Sequence, residues 1–424
     1  MKPVRGAFLL APLALAALSA EAAVRLLTPR EPIPAPEPVD IHDYFSSEEI
    51  ARGRSFARPQ LAIGLARGAL DAAVLAYVVR WQARRGRPAV PAAAPDVPAS
   101  DDGGPAGAVS AAALAGAALA TAASLPGLPL SALARHRALR VGLATQSWRD
   151  WGVDLAKATA IQAGLAAAGA AAVTLAARRW PRDWWLPASA GSVGFGAMLA
   201  ALAPVVLDPV FNDFTPLPGG DTRRDVLSLA AAAGVSVGEV YSVDASRRTS
   251  AANAYVTGLG PTKRVVLFDT LLERFNRDEI RVVVAHELAH VRHRDVARSV
   301  AFAALTAPAA AFAVQRLSWA MSPARASAGA LPALALAGGV VSLPLGILSS
   351  RLSRAVERRA DAFSLRLSQE PEAFVSFERA IALQNIADLQ PPRLLTRLLA
   401  SHPPTDERIG AALAHRAQSR RDAS

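Results

Sequence analysis

The chain has 424 residues, 52% of them hydrophobic and 19% charged, with a formal net charge of +11 at pH 7. That balance suits several membrane spans beside a folded unit. No cysteine is present, which excludes disulfides, a thiol nucleophile and a thiolate metal site. The basic residues flank apolar runs and form no stripe with aromatics, which favours a lipid bilayer over nucleic acid as partner.

In chain order, Gly6 to Leu27 reads as a first membrane helix, with a signal peptide ending near Ala20-Glu21-Ala22 as the alternative. A Pro-rich stretch follows, then a charged helical stretch from Ser47 to Arg58. Leu61 to Trp81 is a second span, with Arg67 and Asp71 four apart, placed to face each other or a cavity. Residues 83–106 are Pro/Ala/Gly-rich and read as a flexible loop. Further spans are expected at 108–130, 158–177 and 186–207, separated by an Arg- and Trp-rich interfacial connector at 131–157 and a short turn at 178–185.

The pattern then changes. Residues 208–298 read as a water-facing α+β unit: a helix over 221–233 stopped by Gly234, and strands at 235–243, 254–259 and 264–268. Asn276 and Glu279 form a capping box at the start of the next helix. Two more spans, 299–321 and 329–350, make a hairpin, followed by charged helix from Arg351 and a basic, frayed tail after Ala414. The expected domains are therefore 1–207 (about five spans), 208–298, 299–350 and 351–424. The fold class is mainly α, a polytopic helical bundle of about seven spans with a small α+β unit.

The helix opened by Asn276 carries His286-Glu287-Leu288-Ala289-His290. Residues i and i+4 of a helix share a face, about 6 Å apart at Cβ. Two imidazoles there can hold one zinc ion, with Glu287 in reach of a water on it. An amphipathic helix with a polar stripe is the plainer reading. A zinc site needs a third protein ligand, and Glu357 in Ser353–Asp361 is the best candidate. Asp361 lies on the same face, within reach as a partner for a ligand imidazole or for proton transfer. A solvated face paired with Arg354 and Arg358 is the competing reading.

These segments together resemble the CAAX prenyl protease type I family of integral-membrane zinc metalloproteases. HELAH with the following VRHRD, and SRAVERRAD with Ala362-Phe363, resemble its two metal motifs. The stretches 211–217, 253–258, 263–272 and 401–409 agree as well, so the resemblance covers residues 208 to about 410, while the first half agrees mainly in its spans. The resemblance implies one Zn²⁺ per chain held by His286, His290 and Glu357, with Glu287 as the general base and Asp361 beside the site. It implies that Asn253, Ala254, Tyr255 and Gly258 lie on an edge strand that binds substrate. It also implies that His402 donates a hydrogen bond to the oxyanion. His293 and Asp295 read as supporting or capping groups, and His42, His136 and His415 have no motif around them.

Expected substrates are peptides or proteins, lipidated or membrane-associated ones among them. Lys and Arg in the short loops tie between the two faces. Arg292, Arg294, Arg298, Arg351, Arg354, Arg358 and Arg359 break the tie, placing the active site on the cytoplasmic side of a cell membrane. The competing functions are a heat-shock-type quality-control protease, a catalytically silent scaffold and, less well supported for want of internal repeats, a transporter.

Overall fold

The computed structural model describes residues 4–85, 104–258, 263–322 and 324–422. The expected loop at 83–106 lies mostly outside the described residues; its first and last three residues are helical.

The first half is a set of long helices: α1 (Val4–Leu27), α2 (Ser47–Arg85), α3 (Gly104–Ser124), α4 (Leu128–Arg140), α5 (Trp148–Arg179) and α6 (Trp185–Val206). The expected helix at 47–58 and the second span are one helix, running through Pro59. Arg67 and Asp71 do not pair. Arg67 Nη1 lies 3.0 Å from Ser131 Oγ, and Asp71 Oδ1 is buried with no hydrogen-bond partner among the described residues. The interfacial connector is mostly helical as well; it turns at Gly142, whose φ of +75° a glycine tolerates without strain. Arg135 there stacks over the Trp148 and Trp151 rings at 5.2 and 5.4 Å.

A short α7 (Asp208–Phe211) leads to β1 (Phe214–Pro216), α8 (Asp221–Ala232), β2 (Glu239–Val243), β3 (Ala254–Thr257) and β4 (Arg264–Phe268). Gly234 ends α8 at φ +68°. The sheet order is β1-β2-β4-β3, with β2 and β4 parallel and both outer pairs antiparallel. β1 was not expected; three residues beside two prolines carry no readable alternation. β2 starts four residues later than expected. α9 (Asp269–Arg274) then leads to α10 (Arg277–Arg292), which has the expected capping box: Asn276 Oδ1 accepts from the amides of Asp278 and Glu279 at 3.0 Å.

Two residues, His293 and left-handed Arg294 (φ 55°), separate α10 from α11 (Asp295–Met321). α12 (Leu331–Ser368) continues without a break from the second arm of the hairpin through Glu357 and Asp361. α13 (Pro371–Gln384), α14 (Arg393–Leu399) and α15 (Thr405–Asp422) complete the chain. The expected frayed tail is helical through Asp422, since α15 packs along α13 and α12 and Arg416 reaches Glu372 at 3.6 Å.

Among the described residues seven helices are long and apolar enough to cross a membrane, and the chain is a multi-pass membrane protein. α1 packs on α11 and α12 through buried Ala16, Ala20, Ala23 and Val24. The water-facing core joins Val240, Val265 and Leu267 of the sheet to Val282, Val284 and Leu288 of α10, Leu365 of α12 and Phe374 of α13. Burying side chains of this kind stabilises by roughly 1.5–3 kcal/mol each. This packing is what fixes α10 against α12.

Candidate metal centre

α10 buries its apolar face in that core and turns His286, Glu287 and His290 toward α12 and a cavity. His286 Nε2 lies 3.2 Å from His290 Nε2 and 3.2 Å from Glu357 Oε2. Glu357 Oε1 is 3.7 Å from His290 Nε2. One donor atom from each of the three residues lies within 4.8 Å of the others.

Carboxylates back both imidazoles. His286 Nδ1 is 2.8 Å from Asp361 Oδ1, and His290 Nδ1 is 3.0 Å from Asp295 Oδ2. Such contacts orient a ring and leave its other nitrogen for a metal. Burial opposes charge on His286, yet Asp361 and Glu357 outweigh it and hold the imidazole up to about 10. The site therefore demands positive charge where the two Nε2 atoms and Glu357 converge. A proton or a divalent cation meets that demand, and two nitrogens with one carboxylate suit a borderline-soft metal.

Asp361 is held in turn by Arg408 of α15, whose Nη2 and Nε lie 2.6 and 2.9 Å from its two oxygens. Arg408 Nη1 also reaches Glu378 of α13 at 2.7 Å. Burial pushes Glu378 up to about 7, against the pull of Arg408. Behind His290, Asp295 pairs with buried Arg359. Local sequence patterns give no sign of Arg408, Glu378 or Arg359 in this role, because their partners are 30 to 64 residues away in the chain.

Glu287 faces a cavity of 440 Å³ that is also lined by Asn253, His286, Phe374, Phe377, Asn385, His402 and Arg408. Burial pushes its carboxyl up, and no hydrogen bond or ion pair holds it among the described residues. His402 reaches the centre from the loop after α14. Its Nε2 lies 3.5 Å from Glu357 Oε2, and its Nδ1 lies 2.9 Å from Ser401 Oγ. His293 is apart from the donor set, its Nδ1 2.9 Å from the Ala289 carbonyl.

Asn253 lines the same cavity, and β3 is the edge of the sheet. The Phe268 amide donates to the Asn253 carbonyl, and the register pairs Tyr255 with Val266. Antiparallel pairing alternates, so the backbones of Asn253, Tyr255 and Thr257 are spent on β4, while those of Ala254 and Val256 face the open edge. Gly258 ends the strand at φ +96°.

The comparisons agree with this geometry. Residues 216–416 match Peptidase family M48. An uncharacterized metalloprotease of Bacillus subtilis, YhfN, is 31% identical over 291 residues, which is 66% of this chain and 68% of that protein. The chain belongs to peptidase family M48. It is a membrane metalloprotease, a hydrolase of peptide bonds. CAAX prenyl protease 1 of Saccharomyces cerevisiae is 42% identical over 105 residues, 24% of this chain and 23% of that protein. A CAAX prenyl protease 1 homolog of Arabidopsis thaliana is 32% identical over 226 residues, 50% and 52% of the two chains. The match thus spans about half or less of these two prenyl proteases. The crystal structure of S. mikatae Ste24p superposes with a TM-score of 0.73 over 96% of this chain and 97% of that one, at 19% identity. The fold is the same over nearly the whole chain, spans included. The heat-shock-type and silent-scaffold readings are not favoured.

Proposed function

We propose that the metal is zinc, one ion per chain, held by His286, His290 and Glu357. The observation that carries this is the convergence of two imidazole nitrogens and one carboxylate oxygen, each ring backed by its own carboxylate. When bound, zinc acidifies a water and polarises a scissile carbonyl.

The chain's own groups supply the rest. Glu287 takes the proton of the attacking water and returns it to the leaving amine, a task suited to a carboxyl whose pKa burial has raised. Asp361 and Asp295 hold the rings in place. His402, with Ser401 donating to Nδ1, keeps a proton on Nε2 and aims it toward the oxyanion position. Substrate lies along β3 as an added antiparallel strand beside Asn253, Ala254, Tyr255 and Gly258, bonding to the outward amides and carbonyls of Ala254 and Val256.

Substrates are peptides or proteins at the bilayer, lipidated chains among them; the matches to CAAX prenyl proteases support that class. The site faces the cytoplasm of a cell membrane, supported by the arginines at the span ends. The domains divide at about 207, 298 and 350.

The test is zinc per chain in detergent-purified protein, wild type beside Glu357→Gln, with cleavage of a fluorogenic peptide on the same samples. About one zinc in wild type, lost with cleavage in the variant, is expected. A wild type that takes up no zinc on careful loading overturns the assignment.

A further inference from the structure

We propose a binding site for a phosphate-bearing anion in the cavity between the end of α1 and the start of α11, which shares no lining residue with the cavity beside Glu287. This cavity holds 610 Å³. Arg30, Arg294, Arg298 and Arg359 line it, with Glu31 and His293. Asp295 adjoins them, so four guanidinium groups face two carboxylates.

The basic groups are underused. Arg359 has a side chain 3% exposed and pairs with Asp295 through Nη2. Its Nε is shut off from solvent with no hydrogen-bond partner among the described residues, and so is Arg298 Nε. Arg298 gives Nη1 to the Leu27 carbonyl at 2.6 Å, and its Nε lies 3.3 Å from Asp295 Oδ1 without bonding to it. Arg30 and Arg294 are exposed and have no acidic partner among the described residues. Glu31 lies 3.7 Å from His293 Nε2. Arg30 and Arg294 therefore leave positive charge uncompensated at the open cavity, with Arg298 and Arg359 behind it, and that charge calls for an anionic acceptor. Phosphate oxygens match guanidinium forks in geometry and charge.

The setting is that of a bilayer surface. α1 and α11 both reach the catalytic side here, and Leu26 and Val296 flank the arginines at 61% and 62% exposure. Basic pockets between membrane helices, rimmed by apolar groups, take anionic lipid headgroups. The anion's site also backs the metal centre: Arg359 holds Asp295, whose other oxygen orients His290.

The experiment uses full-length detergent-purified protein, wild type and Arg30→Gln/Arg294→Gln. These two arginines are exposed and do not brace Asp295, and thermal unfolding checks that the variant is folded. Short-chain phosphatidylglycerol, short-chain phosphatidylcholine and inorganic phosphate are titrated separately, with bound molecules counted by native mass spectrometry. Saturable binding of about one phosphatidylglycerol per chain is expected, weakened roughly tenfold or more in the folded double variant. Displacement of that lipid by millimolar inorganic phosphate would assign the site to the free anion; resistance to it assigns the site to the headgroup. Arg30→Lys/Arg294→Lys should restore most of the binding. Equal binding of phosphatidylcholine, or equal binding by wild type and the Gln variant, overturns the proposal.

Discussion

Arg408 and Asp361 form a two-point ion pair directly behind His286, at 2.6 and 2.9 Å, and Arg408 carries Glu378 on its other side at 2.7 Å. Removing the arginine leaves two buried carboxylates facing each other. Arg408→Leu should cost about 3–5 kcal/mol of stability. Arg408→Lys keeps the charge but loses the fork, and should keep the fold while weakening zinc retention. Calorimetry and zinc competition with a chelator measure the two effects. A stable Arg408→Leu with normal zinc retention would remove this pair from the account of the site.

Glu287→Gln should leave zinc bound and lower kcat by about 10²–10⁴, the usual worth of a positioned general base. His402→Ala should also keep zinc and lower kcat by about 10²–10³, with KM little changed, if it acts on the oxyanion. Steady-state kinetics with metal analysis separates these from a loss of metal. A KM effect alone in His402→Ala would reassign it to substrate binding.

The alternation along β3 gives a backbone test. Val256→Pro removes an amide that faces the open edge, whereas Tyr255→Pro removes one that bonds to β4. The first should hold its melting temperature and lose roughly tenfold in kcat/KM; the second should lose stability. The opposite ranking would mean that substrate does not pair with this edge.

Asp225 sits between α8 and α10 with Arg277, at 2.5 and 2.8 Å, and that hydrogen-bonded pairing holds its carboxyl below the usual carboxylate range. A lowered folded pKa means the stabilisation is complete above the unfolded value, near 3.9, and fades as pH falls through the folded one. Asp225→Asn should therefore melt below wild type at neutral pH, with the gap closing only in strong acid. A gap that widens below about pH 4 contradicts this sign. Arg277 is more than half exposed, so salt should shrink the gap as well.

The local signals were legible. The HELAH spacing, the Asn276–Glu279 capping box and the apolar stretches of the spans each depend on residues within a few turns, where sequence and geometry are tied by the helical repeat. That Glu357 could meet the two histidines was readable because its helix returns from a two-span hairpin, and its carboxylate lies 3.2 Å from His286 Nε2. The partners of the candidate ligands were less so. Asp361 and Asp295 could be guessed as supports, but Arg408, Glu378 and Arg359 are charges on amphipathic helices like many others, and only tertiary packing brings them together. β1 was missed because three residues hold no period, and Arg67 and Asp71 were expected to face each other or a cavity because helix spacing says nothing about the competing Ser131 on α4.

α12 runs unbroken from Leu331 in the membrane hairpin to Glu357 and Asp361. Thirteen residues of helix separate Pro344 from Glu357, about 20 Å of nearly rigid rod. HELAH sits in the water-facing core, and so does Leu365, about two turns beyond Glu357 on the same rod, so that core bears any load the rod carries. A rotation of roughly 3° about Pro344 would carry Glu357 by about 1 Å, enough to spoil a coordination bond. Hydrophobic mismatch with the bilayer, which spanning helices accommodate in part by tilting, would thereby load the position of Glu357, the proposed third ligand. Pro344 is that lever's fulcrum, the lipid loads one arm, and Glu357 is at the tip of the other.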